Sequence, residues 1–231
     1  MTAYNRETDL LTSERTPQAA GLFLLLIGLS GLFEYHYAPE RAEQFLPFYG
    51  IQASLCAMLL TLSAPLRRSG WLQLGSIAVW SLIGASINAY GLVAGVQPEL
   101  TAVANVIFVT AISMMMPWGM RGQAAVCTLG LAGFALLLLQ GEARAVPAPY
   151  LFFAVAGSCV LSIVGARSLE LHRYAIFRES TDREEEAAMN AALLRVGTTM
   201  NSSLDDSDVL DRIAETARRA LALDWAVVLL W

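Results

Sequence analysis

Charged and amide side chains inside apolar segments are the residues of this sequence with the clearest chemical potential. Glu34 and His36 occur together in "FEYHYAPE", near the end of the first apolar segment, and Asn88 lies within the third. A carboxylate inside a membrane is costly, and such residues commonly serve ligand binding or proton transfer. We therefore predict that Glu34, His36 and Asn88 contact a stimulus or a partner. The alternative is an interfacial cluster for Glu34 and His36, and a helix-bridging role for Asn88.

The sequence context of the cysteines and histidines predicts that these side chains pack in the protein and carry out no reaction. Cys56, Cys127 and Cys159 all lie within apolar stretches, without CxxC spacing or a nearby His, which predicts buried thiols rather than ligands or disulfides. His36 and His172 flank the first and last apolar segments, so one haem between them is not expected. The sequence contains no P-loop and no nucleophile motif, and it implies no metal or cofactor. We therefore expect no enzymatic activity from this chain.

The composition indicates a membrane protein that crosses the bilayer several times. Of the 231 residues, 56% are hydrophobic and only 15% are charged, whereas soluble domains are about a quarter charged. About twenty consecutive apolar residues are needed for each membrane helix. Scanning on that length predicts six spans, at residues 19–37, 45–66, 71–94, 100–120, 124–140 and 150–167. The short connections between them predict an up-down bundle over residues 19–167, preceded by a polar leader at residues 1–18.

The distribution of arginine predicts the orientation of the bundle, because short cytoplasmic loops are enriched in Lys and Arg. Only two arginines, Arg41 and Arg144, fall on one side. The other side carries Arg6, Arg15, Arg67, Arg68, Arg121, Arg167, Arg173, Arg178 and Arg183. Both termini are therefore expected in the cytoplasm of a bacterial cell, with the bundle in its inner membrane.

After Arg167 the composition changes to that of an exposed helix. Residues 168–200 are rich in Ala, Glu, Arg and Leu and contain no Pro. This segment predicts a cytoplasmic linker helix that continues the sixth span. Its polar centre, around "RESTDREEE", rules out an uninterrupted coiled coil, but a parallel homodimer helix with a loose centre remains the favoured arrangement over a solvated monomeric linker.

The C-terminal stretch has the pattern of a capped helix followed by a strand. Asp205, Asp206 or Ser207 can cap a helix whose apolar positions recur on one face. The run "LDWAVVLLW" is typical of a central strand. An isolated strand leaves its edges unpaired, so we expect that more chain follows or that another protein covers it.

The C-terminal stretch resembles the N-terminal part of GAF domains in bacterial sensor kinases and diguanylate cyclases. The similar residues are "LLRVGTTMNSSLDDSDVLDRIAETARRALALDWAVVLLW". The positions that carry the resemblance are Asp205, Leu210, Ile213, Ala217 and Asp224. It implies a partial GAF-like domain at residues 201–231. GAF pockets are completed by later elements, so the resemblance assigns no binding residue.

The expected fold is thus an all-α membrane protein with six transmembrane helices, a linker helix and an incomplete α/β stub. Two functions fit it. The first is a sensory input module that couples a bilayer or periplasmic stimulus to a cytoplasmic GAF and output region. The alternative is a non-catalytic subunit of a larger membrane complex, photosynthetic or respiratory for example. The expected partners are the lipid bilayer and either a second copy of the chain or other membrane subunits, without nucleic acid.

Overall fold

The architecture is described from a computed structural model, which covers residues 3–140, 145–201 and 209–220. Within these residues the chain forms helices, joined by short turns. The helices are α1 (Ala3–Tyr37), α2 (Ala42–Ser69), α3 (Leu72–Val93), α4 (Pro98–Met115), α5 (Gly119–Leu139), α6 (Ala148–Asn201) and α7 (Val209–Ala220). A short 3-10 turn, Pro39–Arg41, joins α1 to α2.

Six helices in this described part, α1 to α6, are long and apolar enough to cross a membrane. The prediction of six membrane helices in a multi-pass protein is confirmed. No strand occurs in the described ranges, and the α/β stub is therefore not shown. The predicted strand at residues 223–231 and the predicted cap at residues 205–207 both lie outside the described residues.

The chain divides into two units, Met1–His172 and Arg173–Trp231. The division falls within α6, so the first unit contains the bundle and the second contains the polar end of α6 together with α7. One end of the bundle holds the C-terminus of α1 with Glu34, and we call it the Glu34 end. The opposite end holds the connection between α4 and α5.

The connection between α4 and α5 lies earlier in the chain than the sequence pattern indicated. Helix α4 ends at Met115 and α5 begins at Gly119, so "RGQ" belongs to α5 and is not a loop. The residue before a proline is pushed towards an extended backbone, and Met116 has φ −99° and ψ 129° before Pro117. Gly119 has φ 71°, which only glycine adopts freely. The Met–Pro–Trp–Gly sequence therefore sets the position of the turn.

The polar leader is part of the first helix, since α1 already begins at Ala3. Thr12 and Thr16 are fully buried, and each hydroxyl donates to the carbonyl four residues earlier, Thr8 and Thr12 respectively. Arg15 also donates to the Met114 carbonyl at 3.5 Å. The threonines satisfy their own hydroxyls within the helix, so this segment packs against the end of the bundle despite its polar composition.

Helix α3 packs against four other helices, α1, α2, α4 and α5. Trp80 and Ile83 are fully buried at its centre, and the Phe23 ring contacts the Trp80 ring at 5.5 Å. Glycine permits the close approach of a neighbour at Gly91, where an added Cβ would lie 2.8 Å from Thr101 Oγ1 of α4. The core of the first unit is thus arranged around α3.

A tight contact at the start of α5 yields a stability prediction. A Cβ at Gly122 would lie 2.6 Å from Trp118 Cγ and 2.9 Å from Ile77 Cδ1. Trp118 cannot yield easily, because it is buried and its Nε1 donates to Gln123 Oε1 at 3.3 Å. We expect Gly122→Ala to destabilise the bundle by about 1–3 kcal/mol, as overpacked cores usually are.

The matched control is Gly28→Ala, because an added Cβ at Gly28 meets nothing within 4 Å. Thermal unfolding of both variants in a mild detergent measures the difference. Equal melting temperatures for the two variants would contradict the packing described at Trp118.

Candidate functional site

Glu34 is the centre of a hydrogen-bonded cluster that joins three helices at the Glu34 end. The Tyr90 hydroxyl of α3 lies 2.8 Å from each carboxylate oxygen of Glu34 and donates its one proton to the carboxylate. The Tyr49 side chain of α2 also lies close enough to interact with Glu34. The half-buried carboxylate therefore ties α1 to α2 and α3.

The tyrosine rings beside this carboxylate contact other aromatic rings, whereas His36 stands apart from the cluster. The Tyr90 ring lies 5.9 Å from the Tyr49 ring and 5.6 Å from the Phe48 ring, measured between centroids. His36 is exposed, and its ring contacts Tyr37 at 4.8 Å. The structure thus places Glu34 in a cluster with two tyrosines and places His36 at the exposed end of α1.

A cavity of about 310 Å³ lies beside Glu34, between α1 and α4. Its α1 wall runs from Ala19 to Glu34, and its α4 wall runs from Leu100 to Met115. Apolar side chains line most of it, and the polar lining includes Ser30, Glu34, Tyr49 and Gln52. The cavity is therefore apolar along its length with a hydrogen-bonding end at Glu34.

The cavity reaches the lipid-facing surface between α1 and α4. Leu26 and Ile107 line it from the two helices, yet they are 40% and 56% exposed. On the inner side, Phe23 and Phe108 close it with an edge-to-face ring contact at 5.9 Å. The cavity is therefore open sideways, between two helices that are apolar enough to cross a membrane.

Asn88 lies in a second polar cluster, buried in the core between α3, α4 and α5. The Asn105 amide nitrogen donates to Asn88 Oδ1 at 2.9 Å, and the Asn88 nitrogen lies 3.3 Å from Asn105 Oδ1. The same Asn88 nitrogen donates to the carbonyls of Gly84 and Gly130 at 3.0 and 3.1 Å. Asn88 therefore acts as a bridge between helices, which is the alternative that its sequence context allowed.

A third polar cluster joins α5 to α6. Gln123 is fully buried, and its amide nitrogen donates to the Val109 carbonyl at 3.0 Å and to Ser162 Oγ at 3.2 Å. Cys127 Sγ lies 3.3 Å from the same Ser162 oxygen. All three cysteines are buried and free, as predicted. Gln123 thus connects α4, α5 and α6 through one side chain.

A carboxylate near the end of the sixth span holds the start of α5. Glu170 Oε2 accepts a hydrogen bond from the Met120 backbone nitrogen at 3.2 Å. An added Cβ at Gly119 would lie 2.5 Å from the Glu170 carboxylate, so only glycine leaves room for it there. The negative charge also suits the positive end of the α5 dipole. Glu170 therefore fixes α6 to α5 at the point where α6 leaves the bundle.

Sequence reasoning missed Asn105, Gln123 and Glu170. Asn105 could have been found from its four-residue spacing after Thr101, whose carbonyl it bonds at 2.9 Å. Gln123 was assigned to a loop, because the α4–α5 turn was expected after Met120. No local sequence pattern marks Glu170, because its partner, the Met120 backbone nitrogen, lies fifty residues earlier in the chain.

The Asn88–Asn105 pair predicts a non-additive effect on stability. Leucine has nearly the shape of asparagine, so Asn88→Leu leaves the buried Asn105 amide without its partner, and Asn105→Leu does the reverse. An orphaned buried polar group costs about 1–3 kcal/mol. We expect each single variant to lose stability and the double variant to lose less than the sum of the two.

Unfolding of the four proteins in the same detergent gives the coupling energy. Strictly additive losses would show that the two amides do not act as a pair. The matched control is Asn190→Leu, the same substitution at a site outside the pair, on the exposed end of α6.

Within the described residues, no group of three His, Cys, Asp or Glu side chains is placed to hold a metal ion. Compared with protein-family models, with curated proteins and with solved structures, the chain matches none of them. Its function is therefore inferred from its own residues and their geometry.

Proposed function

We propose that the chain is a sensory input module of the bacterial inner membrane, with both termini in the cytoplasm. In this role the six-helix bundle detects a stimulus in or at the bilayer. Helix α6 then passes the change to a cytoplasmic GAF-like and output region. The module itself is not an enzyme, and any catalytic output belongs to the region that it controls.

The observation that carries this proposal is the length of α6. It runs from Ala148 to Asn201 as one helix of 54 residues. About twenty residues suffice to cross a bilayer, so more than half of α6 extends beyond the span. A helix that is continuous with a membrane span can transmit a small shift or rotation of that span, as packed helices do in two-state switches.

Buried contacts connect the cavity with α6 in the first unit. Thr101 lines the cavity, and its carbonyl accepts the hydrogen bond from Asn105, which is paired with Asn88. Asn88 also bonds α5 through the Gly130 carbonyl. Gln123 and Glu170 then join α5 to α6. A ligand that moves α4 therefore acts on groups that hold α6.

The polar part of α6 favours a homodimer. Its large apolar side chains are exposed near both of its ends, at Tyr174 and Ile176 and again at Met189, Leu193 and Leu194. The charged centre between them, with an exposed Glu179–Arg183 ion pair, needs no partner. Two copies joined at both ends of this segment cover the apolar residues and leave the centre in water.

One observation favours the alternative of a subunit in a larger membrane complex. A groove of about 830 Å³ between α4 and α6 is lined by small and hydroxyl side chains, including Thr110, Ser113, Gly157, Ser158 and Gly165. Small residues allow membrane helices to approach closely. A helix of another subunit, or of a second copy, fits such a surface.

Insertions in α6 test the proposed transmission. A dimerisation-dependent cyclase reporter is fused after Thr198, and one to four alanines are inserted after Glu186. Because an α-helix turns once in about 3.6 residues, we expect two inserted residues to change the basal reporter activity most. Four inserted residues should restore it nearly to the original level.

The matched control for this series is Glu185→Ala, which changes composition without changing length. Reporter activity that is independent of the number of inserted residues would show that α6 does not transmit a rotation. That result would remove the main support for the sensing role.

Native purification in mild detergent separates the two candidate functions. We expect the mass of a homodimer with bound lipid and no other protein. A stoichiometric complex with other membrane proteins would instead establish the subunit role.

A further inference from the structure

We propose that the cavity between α1 and α4 binds an amphiphile from the bilayer, with one long apolar chain and a protonated amine head. The head lies at Glu34, and the chain lies along the apolar walls towards Ala19. This inference deepens the proposed sensing role by naming the chemical class that the bundle detects, and it rests on that role only for its consequence in signalling.

The Glu34 carboxylate retains acceptor capacity for a ligand. An ionised carboxylate offers about four acceptor positions. Tyr90 and Tyr49 each have one hydroxyl proton to donate, so they occupy at most two of these positions. Glu34 lines the cavity, and its remaining acceptor positions suit a head that carries several donors. An ammonium group carries three.

The surroundings of Glu34 favour a cation over a neutral donor. Glu34 is the one charged residue that lines this cavity in the described part of the chain. The rings of Tyr49 and Tyr90 line the cavity beside it, and aromatic rings attract ammonium groups. Arg41 lies close enough to act on the Tyr90 hydroxyl, but its side chain is exposed and does not line the cavity.

The length and shape of the cavity fit a single chain. Its α1 wall extends over sixteen residues, from Ala19 to Glu34, which is about 22 Å at a rise of 1.5 Å per residue. The walls between these points are apolar, and the lateral opening at Leu26 and Ile107 faces lipid. A chain that enters from the bilayer therefore exchanges one apolar environment for another, and the head decides the selectivity.

The carboxylate also excludes the commonest membrane amphiphiles. A fatty acid or a phosphate-bearing head would bring a negative charge against Glu34 in a poorly solvated site, where like charges repel strongly. A long-chain alcohol fills the same cavity but provides one donor and no charge. The proposal therefore predicts the order amine, then alcohol, then acid.

The test uses the full chain in phosphatidylcholine vesicles, with a hexadecylamine that carries a photoreactive diazirine in its chain. We expect light-dependent labelling of α1 and α4 peptides, and competition by hexadecylamine in preference to hexadecanol and hexadecanoic acid. Because hydrogen bonds to charged groups contribute about 1.5–3 kcal/mol, Glu34→Gln should reduce labelling about tenfold or more. The control Glu43→Gln removes an exposed carboxylate at the start of α2 and should leave labelling unchanged.

A second pair of variants tests the cavity without altering Glu34. Ala104→Trp fills the cavity from α4 and should abolish labelling, whereas Val103→Trp on the exposed side of the same helix should not. Equal competition by the alcohol or the acid would overturn the amine assignment. Labelling that survives both Glu34→Gln and Ala104→Trp would overturn the site.

The same experiment separates the ligand site from the signalling role. Adding hexadecylamine to the reporter fusion measures signalling, and labelling measures binding. Labelling without a change in reporter activity would contradict the sensing role and leave the site established. A reporter response that persists in Glu34→Gln would contradict the site and leave sensing intact.

Discussion

The interior of a bilayer provides no water, so polar groups within the bundle depend on other groups of the protein for their hydrogen bonds. Asn88 meets this constraint through Asn105 and two backbone carbonyls, and Gln123 meets it through Val109 and Ser162. These bonds connect α3 with α4 and α5, and α5 with α6. The arrangement of four spans therefore depends on two buried amides. The net contribution of such bonds to stability is modest in membranes, but an amide left without its partner is costly.

Helix α1 is held differently, and the cavity follows from that difference. At its C-terminal end, α1 is tied to α2 and α3 through Glu34, and at its N-terminal end Arg15 contacts the Met114 carbonyl of α4. Between these two points its contact with α4 is slight, and the cavity occupies the space. A carboxylate anchored at one end of an apolar cleft is an unusual feature for a purely structural bundle. The proposed ligand binds at this carboxylate. A stimulus detected there therefore acts on helices whose positions are fixed by the buried amides.

Much of the architecture could be predicted from the sequence, because membrane spans follow from length and hydropathy alone. The six helices, their short connections and the buried cysteines were all predicted. The turn at Pro117 was placed too late, since Trp118 and Met120 are apolar enough to extend a span and only the backbone shows that Gly119 begins the next helix. The sequence predicts Glu34 as a candidate, but nothing in it indicates Tyr49 and Tyr90 as its partners. Interactions between helices, such as Glu170 with Met120, depend on packing that no local pattern contains.

In the proposed mechanism, occupation of the cavity changes how α6 leaves the bundle. Spin labels at Met114 on α4 and Leu169 on α6, both exposed positions beside the groove between these helices, report that change directly. The distance distribution between the labels is measured in vesicles by pulsed electron resonance, with and without hexadecylamine. The proposed mechanism predicts a shift of the distribution in the otherwise native protein and none in Glu34→Gln. An unchanged distribution in a protein that demonstrably binds the amine would contradict it.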